Sequence, residues 1–223
     1  MAASNVDKQS DAPDYEKKLE LMDNADRMCE TVTKESKDVP LVPLNTPWTF
    51  WIDRSVRGTT VQQYESSLTK IYTVDTVQGF WSVYNHIPEP SKLSIRYSYH
   101  LMRAQRRPVW EDEENSEGGN WTFKCKKQDT EDVWKQLLLA AIGEQLSDCM
   151  SEEDDIIGIS VSIRDRDDLI LIWNNLASHK DDAKIIKKVK ELLPHVTFTT
   201  IFYKAFNMHE AFEGKRSNRI HPR

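Results

Sequence analysis

Cysteine, long apolar runs and surplus positive charge are all scarce in this 223-residue sequence, and each shortage excludes a class of protein. The three cysteines, Cys29, Cys125 and Cys149, are odd in number and widely spaced, so they offer neither a disulfide framework nor metal-ligand spacing and suggest reduced thiols in a cytoplasmic protein. The apolar run from Leu137 to Ile142 falls far short of the ~20 residues that span a bilayer. The N-terminus is polar and lacks a signal-peptide core, so the expectation is a chain with no membrane association. A formal net charge of −6 repels polyphosphate at long range, so any contact with nucleic acid has to be local. Enzyme signatures are missing too: no glycine loop to cradle phosphate, no Gly-x-Ser-x-Gly elbow and no His-Glu-x-x-His helix. The six histidines are scattered, and the acidic run of Asp148 and residues 152–155 lacks the ordered spacing of a calcium loop and reads as solvated. No catalytic residue, metal or cofactor is expected.

What the chain does have is seven tryptophans and a change of pattern near residue 41. Residues 1–40 hold six basic and ten acidic residues and no sustained apolar period, too little to offset the entropy of ordering. They read as a disordered acidic tail. The remainder carries 24 basic and 26 acidic residues, so it is nearly neutral and its patches can take either sign. From Trp48 apolar and polar residues alternate, with Trp48, Phe50 and Ile52 on one face and Thr49, Trp51 and Asp53 on the other. Similar strand signals recur at residues 93–102, 121–126, 156–163, 169–173 and 196–203. Gly118 and Gly119 read as a hairpin turn that makes neighbours of a Trp110 strand and a Trp121 strand. Helical periodicity marks residues 76–86, 130–146 and 181–193, with Thr130 and Asp181 as N-caps and Pro194 as the last stop. Strands in hairpin succession, interrupted by helices that cannot all be short crossovers, predict an α+β fold: a mostly antiparallel sheet with helices on one face and the other free to bind.

The stretch from Val109 to Trp121 carries the most chemistry. An indole face attracts a delocalised cation by about 0.5–2 kcal/mol. A carboxylate beside it can accept two hydrogen bonds from a base edge, which discriminates by about 1–3 kcal/mol. Trp110 and Glu111 supply both parts and suit a methylated guanine; on spacing alone they suit equally an exposed tryptophan beside a solubilising acidic hairpin. Arg164 and Arg166 flank Asp165 at a strand end, where alternation can aim both at one anion, although three neighbouring acids make a self-neutralising turn the simpler reading.

Taken in order, Trp48 and Trp51, Phe80-Trp81 with Tyr84-Asn85, Trp110-Glu111-Asp112-Glu113, Gly118-Gly119-Asn120-Trp121, Trp134 ahead of Ile142-Gly143-Glu144, and Trp173 resemble the cap-binding eukaryotic translation initiation factor 4E family from about Val42 to Gly214. The wording of residues 70–77 and 99–103 looks most like its type 3 (class III) branch. The resemblance implies a single curved antiparallel sheet with about three helices on the convex face and the 7-methylguanosine 5′ cap of mRNA on the concave face. It implies a cap-binding domain at 41–214, a basic mobile tail at 215–223, and a cytoplasmic, monomeric regulator of translation initiation. By position, Trp110 resembles the stacking tryptophan, Glu111 the guanine-reading carboxylate, and Arg164 and Arg166 two phosphate-contacting residues. Two further basic positions fall on Leu169 and Asn120, and the second stacking aromatic falls on Tyr64. Val42, Pro43, Leu44, Val77, Trp81, Leu139 and Gly143 match the surface that receives the Tyr-x-x-x-x-Leu-Φ helix of a scaffold initiation factor or binding protein. Lys135 and Gln136 depart from the apolar-acidic pair usual there. The weaker grip admits an alternative, an interaction module that sequesters partners and binds cap weakly.

Overall fold

The computed structural model describes residues 40–55 and 61–207. The expected tails at 1–40, apart from Pro40, and at 215–223 lie outside them. In chain order the elements are β1 (Pro43–Arg54), α1 (Val61–Ser67), β2 (Thr69–Thr76), α2 (Val77–His86), β3 (Tyr97–Arg103), β4 (Gly119–Lys126), α3 (Thr130–Ile142), β5 (Ile156–Ser162), β6 (Asp167–Asn174), α4 (Ile185–Leu192) and β7 (Thr200–Ala205). The strands form one antiparallel sheet in the order β2-β1-β3-β5-β6-β4-β7.

Period-two alternation sorts the side chains. Trp48, Phe50 and Ile52 of β1, Tyr99 and Leu101 of β3, Phe123 of β4, Ile159 and Val161 of β5, and Ile170 and Ile172 of β6 all enter one core, which α2, α3 and α4 close from the convex side. The intervening residues, Asp53, Ser98, His100, Asn120, Thr122, Ser160 and Ser162, face a concave cleft. The expected α+β sheet with three convex helices is therefore observed. The fourth helix, α1, stands instead at the concave rim. No helix among the described residues is long and apolar enough to cross a membrane.

Four local expectations need correction. The Trp110 segment is a run of turns and not a strand, because the buried Asn115 amide donates to the carbonyls of Arg107 (2.9 Å) and Val109 (2.8 Å) and folds the chain back on itself. Gly118 and Gly119 make no hairpin; β4 lies between β6 and β7, and these residues are small because a Cβ would stand 2.2 Å from the Asn174 carbonyl or from the Tyr203 hydroxyl. Thr130 is the first residue of α3 and not its cap; its hydroxyl donates to Asp168 Oδ2 at 2.8 Å. Helix α4 begins at Ile185, with Lys184 and not Asp181 at the N-cap position. By contrast Thr76 caps α2, accepting the Gly79 N–H at 3.2 Å.

Candidate functional site

The concave cleft has a volume of about 680 Å³. Its walls come from separate elements: Tyr64 from α1, Trp110 and Glu111 from the loop after β3, Arg164 from the β5–β6 turn, and Phe202, Lys204 and Phe206 from β7 and its end. Trp110 packs against a small apolar cluster of Met102, Ile157, Trp173 and Phe206.

A chain of hydrogen bonds runs under the cleft. Trp173 Nε1 donates to Ser160 Oγ (2.9 Å), which lies 2.7 Å from His100 Nδ1, and His100 Nε2 lies 3.0 Å from Asp53 Oδ2. The same Asp53 oxygen accepts from the Tyr64 hydroxyl at 2.6 Å, with the Pro108 carbonyl 3.2 Å away. Indole N–H can only donate, so Ser160 Oγ accepts there, and the two ring nitrogens of His100 bridge Ser160 to Asp53. Burial pushes the Asp53 carboxyl up, but its bonds to His100 and Tyr64 outweigh that and hold it below its ordinary 3.8. Burial and the Asp53 charge push the Tyr64 phenol far above its ordinary value, so Tyr64 remains a neutral donor.

The two sides of the cleft are also braced to each other. Arg107 holds Asp112 through Nη2 at 2.6 Å and Nε at 3.0 Å, and reaches Glu65 of α1 at 3.0 Å, so one guanidinium links the Trp110 loop to the helix bearing Tyr64. Arg164 is fixed by its backbone, whose N–H donates to Asp168 Oδ1 at 2.9 Å and whose carbonyl accepts from Lys127 Nζ. It is half-buried, which draws its pKa below the ordinary arginine value. Trp110, Glu111, Tyr64 and Arg164 are thus brought together. Arg166 is not; it is exposed on the same turn, outside the cleft lining.

On the convex side Val42 is 51% exposed, and its carbonyl accepts the Val77 N–H at 2.9 Å. Leu44, Trp81 and Leu139 are partly buried against the core, and Gly143 ends α3. Lys135 Nζ stands 5.8 Å from the Trp81 ring centroid, which sets α2 and α3 side by side. Val42 is thus tied to the start of α2, and Trp81 of α2 stands beside α3, the helix that bears Leu139. The acidic run after α3 is solvated only in part: Asp148, Glu152 and Glu153 are exposed, as expected of a solvated loop, but its end is built into the fold. Asp154 is buried and binds Asn174 Nδ2 (2.7 Å) and the N–H groups of Asn175 (3.0 Å) and Leu176 (2.8 Å). No cluster of metal-ligating side chains occurs among the described residues.

The family model described as eukaryotic initiation factor 4E matches residues 43–220. The chain belongs to the eukaryotic initiation factor 4E family. An initiation factor 4E isoform from Zea mays is 40% identical over 161 residues, covering 70% of this chain and 73% of that one. The initiation factor 4E of Eremothecium gossypii is 35% identical over 178 residues, covering 78% and 82%. Among solved structures, the C. elegans eIF4E-3 complex with the 4E-binding protein Mextli and a cap analog superposes with a TM-score of 0.67 at 29% identity, covering 77% of this chain and 96% of that one. Ascaris suum eIF4E-3 with an m2,2,7G cap gives 0.63 at 31%, covering 74% and 92%.

In this 4E-family chain no single motif marks Asp53, His100, Ser160, Arg107 and Asn115. Register and loop closure place them, and only Asp53, His100 and Ser160 left a trace, as polar residues on the outward phase of strands β1, β3 and β5.

Proposed function

We propose that this chain binds the 7-methylguanosine 5′ cap of mRNA in the concave cleft and a partner helix on the convex patch, and so regulates the initiation of translation in the cytoplasm. It acts by binding and not by catalysis. The observation that carries the reading is the adjacency of Trp110 and Glu111 on a cleft wall facing Tyr64. The indole stacks on the cationic base, Glu111 accepts hydrogen bonds from N1–H and the exocyclic amine, and Tyr64 closes the other face. Arg164 meets the phosphates, with Arg166 as an outer contact. Val42, Pro43, Leu44, Val77, Trp81, Leu139 and Gly143 receive the partner helix of a scaffold factor or binding protein. Residues 41–214 form the working domain, a monomer, between an acidic tail and a basic one. Assignment to the type 3 branch is supported by the wording of residues 70–77 and 99–103 and by the eIF4E-3 proteins among the structural relatives.

A second reading, a partner-sequestering module with weak cap binding, is favoured by Tyr64, a smaller and less electron-rich face than indole. Retention on immobilised 7-methylguanosine triphosphate decides: the first reading expects capture, elution by free cap analogue and loss in Glu111→Ala, whereas capture that survives Glu111→Ala defeats it.

A further inference from the structure

Four charged side chains line the cleft: Asp53, Glu111, Arg164 and Lys204. Asp53 is engaged with His100 and Tyr64, and Glu111 belongs to the base grip. That leaves two cations. Among the described residues no carboxylate forms an ion pair with Lys204, which stands exposed on the cleft wall. An exposed lysine on a cleft wall, with no carboxylate paired to it, can meet an anion that enters the cleft.

The register of the sheet says which anion. Lys204 of β7 lies directly opposite Asn120 of β4, and Asn120 lies opposite Trp173 of β6. Directly opposed residues hold their Cβ atoms about 4.5–5.5 Å apart on one face. The long flexible stem of lysine can therefore carry its charge over the space above Asn120, which a neutral amide leaves without positive charge. Lys124, opposite Leu169, is different: it alternates onto the same face but stands outside the lining.

We infer that Lys204 is the second cation for the phosphate arm of the bound nucleotide, acting across the β4–β7 ladder in place of a basic residue at Asn120. This rests on cap binding in the concave cleft. The arm extends from the base at Trp110 and Glu111 between Arg164 and Lys204, so affinity gained per added phosphate depends on a strand-edge lysine that the base grip never touches.

The test compares 7-methylguanosine with its triphosphate, titrated by quenching of tryptophan fluorescence against the full chain. Lys204→Ala is expected to weaken the triphosphate roughly five- to tenfold and the nucleoside by less than about twofold, as for one charge-assisted contact at a partly exposed site. Asn120→Lys placed in the Lys204→Ala background is expected to restore most of the triphosphate affinity, and Lys124→Ala to leave it unchanged. Equal loss for nucleoside and triphosphate, no loss for either, or an equal loss in Lys124→Ala overturns the assignment. If the unaltered chain binds neither ligand, or binds both without Glu111, the cap-binding reading itself has failed; if Glu111-dependent binding persists while Lys204→Ala is silent, only the Lys204 assignment has.

Discussion

In the proposed cap grip Tyr64 offers a smaller face than tryptophan, but it is held in place from below. Its hydroxyl donates to Asp53 at 2.6 Å, and Asp53 is in turn fixed by His100, so the ring is pre-organised and loses little side-chain freedom on stacking. Tyr64→Phe keeps the ring and releases the anchor, and cap affinity measured by fluorescence titration is expected to fall roughly three- to tenfold, the cost of re-ordering one side chain. Asp53→Asn added to Tyr64→Phe should cost less than Asp53→Asn alone, because the two act through one contact. Full additivity contradicts the anchor. At the same scale, Arg103 is 8% exposed, grips Glu144 with two nitrogens at 2.9 and 2.8 Å, donates to the Ile156 carbonyl at 2.8 Å and lies 4.6 Å from the Trp48 ring centroid. Arg103→Ala strands a carboxylate and is expected to cost about 3–5 kcal/mol in urea unfolding.

Elements carry a different lesson about what sequence can reveal. Strand β1 was legible because Trp48, Phe50 and Ile52 keep strict alternation into the core. Strand β2 was not. Between Phe50 and Trp51 the ladder skips a residue, pairing them with Tyr72 and Lys70, so Ile71 and Val74 are both buried although three apart, and period two disappears. Helix α1 is only seven residues long, too short for a helical stripe, yet it delivers Tyr64. Trp110 and Glu111 were legible as chemistry and misplaced as structure, since the fold of their loop depends on one buried amide, Asn115. Arg107 ties that loop to α1, so Arg107→Ala is expected to weaken the cap about two- to fivefold while the unfolding midpoint moves little, because its ion pairs are largely exposed. On the convex side Lys135 sits over Trp81. A peptide with the Tyr-x-x-x-x-Leu-Φ motif should lose binding in Trp81→Ala, and in Lys135→Glu it should gain affinity when its flanks are basic; indifference to both in a titration removes the patch from the partner site.

At the scale of the whole fold, two acids with depressed pKa values among the described residues set the response to acid. Burial raises the Glu144 carboxyl, but hydrogen bonds from Arg103 and Ser147 outweigh it and leave it below its ordinary 4.5, as Asp53 is left below 3.8. Carboxyls bound more tightly as anions in the folded state stabilise it fully above their unfolded values, and that stability fades as pH falls through the folded ones. The free energy of unfolding should therefore be nearly flat between about pH 5 and pH 8 and decline below pH 4.5, and Glu144→Gln should flatten part of the acid decline while lowering stability at neutral pH. A Glu144→Gln curve parallel to the unaltered chain at every pH contradicts that assignment. The sheet as a whole divides labour between faces: one closed by three helices, the other left polar and cleft-bearing, with the four charged side chains of the cleft drawn from four separate segments. Cap recognition is therefore a property of the assembled sheet, and its most direct measurement is titration of the full chain with 7-methylguanosine triphosphate beside unmethylated guanosine triphosphate. Tighter binding of the methylated ligand that is lost in both Trp110→Ala and Glu111→Ala is the predicted result; equal binding of the two ligands, or methyl preference that survives either substitution, contradicts it.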